Sequence, residues 1–340
     1  FGQSETLTHT ADSLYTRSIS FRNFYSAGIH TNHGLYATLY SFPAMMKRNL
    51  MKGSVIPRYS GLPTVLKENG YYNLFFMTHE GQYDNMNAFF RTNGYDEVFS
   101  QEDYPADKVV NSFGVQDDFL YDYAIPVLNQ RAATGQPFFA TLLSISNHPP
   151  YVIPPFFHPK TSEPETQIVE YADWALRQFF EEARKQPWFD NTIFVLEGDH
   201  GKLVGDAECE LPESYNHIPL MIYSSRIQPE EKTTFGGQVD IQPTILGLLN
   251  IDYLQNNFGV DLLKEERPCM FYTADNMVVG RNDTLLYLYN YETQQELTYD
   301  IGNGKLNAVP MDDSFLPLKE YSFSMLQSAE FLVKLSLIHI

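Results

Sequence analysis

The chain has 340 residues, enough for one large α/β domain or two ordinary ones with a substantial core. A hydrophobic content of 43% with 15% aromatics excludes disorder, and a formal net charge of -19 argues against nucleic acid or an anionic membrane surface as the primary partner. The two cysteines, Cys209 and Cys269, lack metal-ligand spacing and build no disulfide framework, although a single bridge between them stays open.

The opening stretch, FGQSETLTHTADSL, is polar and reads as a loop leading into a helix over 10–18, which predicts that a segment upstream is missing. No apolar run approaches the roughly 18 to 20 residues needed to cross a bilayer, and no signal peptide is present. A strand-like segment over 18–27 leads through a Gly28 turn to Thr31 and a helix over 34–40. A helix over 62–69 closes on Gly70, and the apolar run 72–77 is a strand that delivers His79. A helix over 85–93 carries aromatics on one side and is capped by Gly94. A longer amphipathic helix over 113–130 has Asp117 and Asp118 near its start, where a helix favours acids.

The run FFATLLSI over 138–145 reads as a buried strand delivering Asn147 and His148. The proline-rich PPYVIPPFFHP that follows is not helical and predicts an ordered loop over the site. After a helix over 165–185, Ile193, Phe194, Val195 and Leu196 form a short apolar run typical of a strand covered on both faces. Gly198 ends it, Asp199 and His200 follow at its carboxyl end, and Gly201 lets the backbone turn away. A third buried strand over 218–224 has His217 at its start. A helix over 239–249, antiparallel strands over 270–299 turning at 281–283 and 290–292, and a helix over 321–332 complete the reading. We expect one α/β domain over 1–265 with its first strand missing, an antiparallel part of the same domain over 266–332, and a tail over 333–340.

Chemistry gathers at the ends of these segments: Thr31, His79, His148, the Asp199-His200 pair and His217. A hard oxygen beside a borderline nitrogen suits Zn²⁺ or Mn²⁺. Thr31 reads equally as the cap of the helix after it, and the two roles are compatible because a helix N-terminus also stabilises an oxyanion. An anionic substrate would need a metal to offset the negative charge. His30 and His33 flank Thr31 and either gate a pocket or are incidental. His9 and His158 read as surface residues, and Glu197 as facing a neighbouring helix.

GDHG after TIFVLE, NHPPY after FFATLLSI, the helix YADWALRQFFEEARKQPWFDN, HIPLMIYS and the segment FRNFYSAGIHTNHGLYATLYSFP resemble the lipoteichoic acid synthase group of the sulfatase and alkaline phosphatase superfamily. The likeness runs from about Leu7 to Leu263. It implies an alkaline-phosphatase-like sandwich, with a largely parallel central sheet and a small antiparallel carboxyl-terminal part. It further implies a metal-dependent phosphoglycerol transferase or phosphodiesterase, acting on a lipid head group outside the cytoplasmic membrane through a phospho-threonine. Thr31 takes the nucleophile's place, and Thr31, Asp199 and His200 take the places of metal ligands, with Mn²⁺ expected and Zn²⁺, Mg²⁺ or Ca²⁺ as alternatives. His148 takes the place of a histidine that bonds the phosphoryl group or protonates the leaving alkoxide, and His79 that of a substrate-side histidine.

Asp84 and Met86, with Asn85 between them, stand where glycerol-phosphate polymerases place a tryptophan and an arginine, which puts recognition of a second phosphate in doubt. His217 is matched only in some members and either binds substrate, supports the metal or is a turn histidine. The carboxylate that completes the family's ligand set belongs to a strand upstream of this chain, so we expect a fragment that is inactive or feeble alone, with membrane association supplied by the missing segment. Three alternatives remain. A classical sulfatase needs Cys or Ser in a C/S-x-P-x-R context, which neither AECEL nor RPCMF provides. A phosphoethanolamine transferase would carry several disulfides. A degenerate domain would bind head groups without turnover.

Overall fold

The computed structural model describes residues 6–53 and 56–335. In chain order the elements are α1 (His9–Tyr15), β1 (Ile19–Tyr25), α2 (Thr31–Tyr40), α3 (Leu62–Glu68), β2 (Tyr72–Met77), α4 (Met86–Thr92), β3 (Glu97–Phe99), β4 (Val109–Asn111), β5 (Gly114–Val115), α5 (Asp117–Ala132), β6 (Phe138–Leu143), α6 (Pro164–Ala183), β7 (Phe194–Glu197), β8 (Leu220–Tyr223), β9 (Glu230–Gly237), α7 (Ile241–Leu248), β10 (Met270–Thr273), β11 (Met277–Arg281), β12 (Leu285–Asn290), β13 (Gln295–Asp300), β14 (Asn307–Ala308) and α8 (Leu316–Leu335). The chain folds into two compact units whose segments interleave. The first takes Phe1–Ile19, Pro63–Phe194 and Ile222–Glu230, and the second takes Ser20–Leu62, Val195–Met221 and Glu231–Ile340.

In the first unit β2 is flanked by β3 and β6 in parallel register. Its residues Leu74, Phe75, Phe76 and Met77 are fully buried, and Phe75 stacks on Phe90 of α4 at 4.2 Å. Asn73 is buried beside them, and its amide nitrogen donates to Gly94 O at 2.9 Å and to Pro63 O, while its amide oxygen has no partner among the described residues. Helix α6 starts with Pro164 in its first turn, where no intrahelical donor is needed. Ile168, Tyr171, Ala175 and Phe179 recur at helical spacing and are buried. The Asp173 carboxylate of α6 accepts the backbone N–H groups of Thr10 and Ala11 at 2.9–3.1 Å, so it caps α1 from a neighbouring helix.

A further sheet, most of whose residues belong to the second unit, runs in the order β7-β8-β1-β9, and in the second unit β10 to β14 form a separate antiparallel meander. Tyr25, Phe235, Met270, Tyr272 and Val279 share one core, which joins the meander to β1 and β9. Helix α8 lies close on β11 at Gly280, where a Cβ would meet Ser322 Oγ at 2.3 Å and Leu318 O at 2.9 Å. The mixed α/β architecture is the expected one, with a parallel sheet and a separate antiparallel sheet at the carboxyl-terminal end.

Several local expectations are corrected. Helix α2 starts at Thr31 instead of residue 34, and the position before it is His30, so Thr31 is helical and is not the cap. Helix α5 begins at Asp117, because Gly114 and Val115 pair with β4 as a short strand. Strands β6 and β7 are half-buried, with Val195 36% exposed, since each ends its sheet and pairs on one side only. Strand β9 escaped the reading because its first half, EEKTT, is polar and mostly exposed. Helix α8 begins at Leu316 after a turn capped by Asp312, and it absorbs residues 333–335 of the expected tail. Residues 336–340 lie outside the described residues, as do the first five of the polar opening.

Candidate active site

In the second unit, Thr31, Asp199 and His200 come together. Thr31 is the first residue of α2, and its hydroxyl donates to Asp199 Oδ2 at 2.7 Å. His200 Nε2 lies 3.5 Å from the same oxygen, and the two side chains are 33% and 25% exposed. His200 Nδ1 is 2.7 Å from Gly201 O. A carbonyl only accepts, so Nδ1 carries the proton, and in the neutral ring Nε2 presents its lone pair. That lone pair then faces a carboxylate oxygen, so both atoms are available to one cation. One carboxylate, one imidazole and one hydroxyl fit a divalent ion of the Mn²⁺ or Zn²⁺ type. Among the described residues no group of three or more His, Cys, Asp and Glu side chains is placed to hold a metal.

The backbone around this trio is tightly packed. Gly34 lies one turn after Thr31, and a Cβ there would sit 2.3 Å from Asp199 O. Gly201 donates its N–H to Tyr215 O at 2.8 Å, and a Cβ there would lie 2.0 Å from Ser214 O. Asn216 is fully buried, and its amide donates to Ser26 Oγ at 3.1 Å and Gly28 O at 3.3 Å in the loop before Thr31. Glu197 accepts from Thr38 of α2, as expected for a carboxylate facing a helix, and burial raises its pKa to about 8. His33 is buried under Gly28, and burial pulls its pKa down to about 4. His30 Nε2 pairs with Asp275 at 2.6 Å.

His217 is placed differently. Its ring stacks on Tyr25 at 5.1 Å, and Nε2 lies 2.6 Å from Arg22 O. Tyr25 stacks in turn on Tyr272 at 5.6 Å with the rings 2° from parallel, and the Arg281 guanidinium lies 4.9 Å from its centroid. Glu213 completes the group, accepting from Tyr25 Oη at 3.0 Å and from Arg281. Burial alone would raise the Glu213 pKa, but Arg281, His217 and the Tyr25 bond outweigh it and hold the carboxyl below its ordinary range.

The first unit gathers His79, His148, Asp84 and Asn85. His148 Nδ1 is 2.6 Å from Pro149 O and His79 Nδ1 is 3.2 Å from Glu80 O, so each ring repeats the His200 pattern of a proton held by the next carbonyl. His148 packs against Phe113 at 4.1 Å and His79 against Tyr83 at 4.6 Å, while Tyr83 meets Phe113 at 6.3 Å. His79 is 2% exposed, and burial lowers its pKa despite the Glu80 carbonyl, Asp84 and Glu102. Asp84 and Asn85 both adopt positive φ, 49° and 62°, in the turn before α4, a conformation that Asp and Asn tolerate better than most residues. His9 and His158 are exposed. Both cysteines are free thiols.

The sulfatase family model matches residues 1–251. The chain belongs to the sulfatase family. Among curated relatives of this sulfatase-family chain, lipoteichoic acid synthase 1 of Bacillus subtilis (strain 168) is 26% identical over 270 residues, covering 73% of this chain and 40% of that protein. Phosphoglycerol transferase I of Xanthomonas campestris pv. campestris is 25% identical over 242 residues, covering 68% of this chain and 34% of that protein. The chain therefore spans less than half the length of these relatives. Among solved structures, a protein of the alkaline phosphatase superfamily from Vibrio parahaemolyticus superposes with a TM-score of 0.85 at 27% identity, covering 95% of this chain and 81% of that one. The lipoteichoic acid synthase LtaP from Listeria monocytogenes superposes with a TM-score of 0.83 at 21% identity, covering 97% of this chain and 86% of that one, and so shares its fold.

Proposed function

We propose that the chain carries the catalytic part of an enzyme that moves a phosphoryl-linked head group, of the glycerol phosphate type, from a lipid to an alcohol or to water. The observation that carries this reading is the Thr31 hydroxyl bonded to an Asp199 oxygen that His200 Nε2 also approaches. In the first half-reaction the Thr31 hydroxyl releases its proton to solvent and its Oγ bonds to phosphorus, while the bond from phosphorus to the lipid-side oxygen breaks and that oxygen takes up a proton from solvent. In the second half the hydroxyl of an acceptor alcohol or a water releases its proton to solvent and its oxygen bonds to phosphorus, while the bond to Thr31 Oγ breaks and Oγ regains a proton from solvent.

Thr31, Asp199 and His200 would hold a divalent cation, with Mn²⁺ the first choice, and that ion would favour the alkoxide of the threonine and offset phosphoryl charge. Asp199 holds the hydroxyl in a fixed direction. Thr31 is the first residue of α2, so the positive end of the helix dipole lies beside its hydroxyl and favours an anion there. The resemblance alone would give His148 the protonation of the leaving oxygen and His79, Asp84 and Asn85 contacts to the head group, and all four belong to the first unit. His217 takes part through the packing of β1. The substrate class would put the enzyme at the outer face of the cytoplasmic membrane. No helix among the described residues is long and apolar enough to cross a membrane, so anchoring would come from elsewhere in the protein.

The test is peptide mass spectrometry on the chain extended upstream, incubated with Mn²⁺ and mixed bacterial phospholipids, including phosphatidylglycerol and phosphatidylethanolamine. A glycerophosphoryl mass on Thr31, absent from Thr31→Ala, is the expected result. A phosphoethanolamine mass would keep the mechanism and change the head group. Bound Mn²⁺ without any adduct would leave a binding domain and end the transferase reading.

A further inference from the structure

Gln238 follows β9, opens the short turn Gln238–Asp240 ahead of α7, and is fully buried. Its amide is used at both ends. The oxygen Oε1 accepts the backbone N–H of Ala27 at 2.8 Å, in the loop between β1 and α2. The nitrogen Nε2 donates to Gly198 O at 3.1 Å and to Asp199 O at 2.8 Å. One side chain therefore ties the backbone leading to Thr31 to the backbone of Asp199 itself. Gly34 closes the third side, since a Cβ there would also come within 2.9 Å of Gln238 Nε2.

We infer that Gln238 is a positioning residue, whose amide sets the separation between the loop of the nucleophile and the loop of the metal-binding acid. The inference rests on the phosphoryl-transfer reading for its consequence, and on the three hydrogen bonds for its geometry. Only a side chain with both an acceptor and a two-hydrogen donor makes all three bonds at once. A carboxylate lacks the donor for the two carbonyls, Lys and Arg lack the acceptor for Ala27, and an aliphatic chain lacks both. The close approach of Gly34 to Asp199 O and Gln238 Nε2 removes the slack that would let the loops find another spacing, so losing the amide moves Thr31 relative to Asp199. A displacement of about 1 Å at reacting atoms is worth on the order of 10²-fold in rate.

The experiment compares the chain extended upstream with its variants Gln238→Met, which has a similar length and none of the bonds, and Gln238→Glu, which keeps only the acceptor. Mn²⁺ affinity is measured by titration calorimetry. The rate of Thr31 adduct formation from phosphatidylglycerol vesicles is measured by mass spectrometry, and thermal unfolding reports the fold. The expected result is a folded variant with Mn²⁺ Kd raised about tenfold or more and adduct rate lowered by a similar factor, at unchanged half-saturating lipid. Normal Mn²⁺ affinity and normal adduct rate in either folded variant would overturn the inference and leave the reaction standing. Weaker Mn²⁺ binding in folded variants, with no adduct even in the wild type, would support the positioning role and end the transfer reading. Loss of folding in both variants would overturn the inference in favour of a purely structural role, and a wild-type chain that binds no Mn²⁺ would overturn both.

Discussion

Thr31, Asp199 and His200 were legible as chemistry because each stands at the end of a patterned segment, where a side chain escapes burial and a backbone turn follows. Gln238 and Asn216 were not. Their amides bond to main-chain groups far away in sequence, and no residue pattern records such a partner. The close packing of Gly34 on Asp199 O is equally silent in one sequence, yet it has a sharp consequence. Gly34→Ala is expected to force α2 away from Asp199, lowering stability by about 1–3 kcal/mol and weakening Mn²⁺ binding, measured by urea unfolding and titration calorimetry. His79 gives a pH dependence. Burial holds its folded pKa below the ordinary 6.5, with Glu80, Asp84 and Glu102 opposing and His148 reinforcing the shift. The unfolded chain then binds the proton more readily, so the contribution of the neutral ring is complete above the ordinary value and is lost as pH falls below it. Denaturant unfolding at about pH 7 and about pH 5 should show His79→Gln losing less stability over that interval than the wild type.

At the level of elements, helices with one apolar face were readable, and α6 kept nearly its predicted bounds. Elements whose partners decide their burial were not. Strands β6 and β7 carry the composition of buried strands but end their sheets, and β9 is half polar yet completes a sheet edge. The junction of β9 and α7 depends on Asp240, which is fully buried. Its carboxylate accepts from Gly237 N at 2.9 Å, Val260 N at 2.9 Å and Arg267 Nε at 2.8 Å, and Arg267 is itself 8% exposed along its side chain. Asp240→Ala removes the carboxylate paired with that guanidinium and leaves two backbone donors without their acceptor. The expected loss is about 3–5 kcal/mol in urea unfolding, and a loss below about 1 kcal/mol would mean that water reaches the site.

Across the whole molecule, neither compact unit is a continuous stretch of chain. The antiparallel meander is not an appendage either, because Met270, Tyr272 and Val279 share the second unit's core with Tyr25 and Phe235. A chain ended at residue 265 would expose Tyr25 and Phe235, strip Arg281 from Glu213 and remove the partner of Tyr25 in its ring stack. Such a truncation is expected to aggregate or to lose near-ultraviolet circular dichroism, and size-exclusion chromatography would show it. A monomeric, cooperatively melting product would show instead that β1 and β9 close on their own.

What the sequence determined by itself was the class of fold and a short set of candidate groups. Apolar runs of strand length alternating with helical periodicity leave few architectures, and an acid, an imidazole and a hydroxyl at segment ends carry their chemistry wherever they are placed. Tertiary structure alone decided which of these groups meet and how rigidly. Thr31 reaches Asp199 because Gly34 lets α2 approach closely, and Gln238 and Asn216 hold the loop before Thr31 in place. His217 turns its ring onto Tyr25 instead, because β1 and the segment before β8 bring them side by side. Contacts between residues distant in the chain are properties of the packed core, and a single sequence carries no local mark of them.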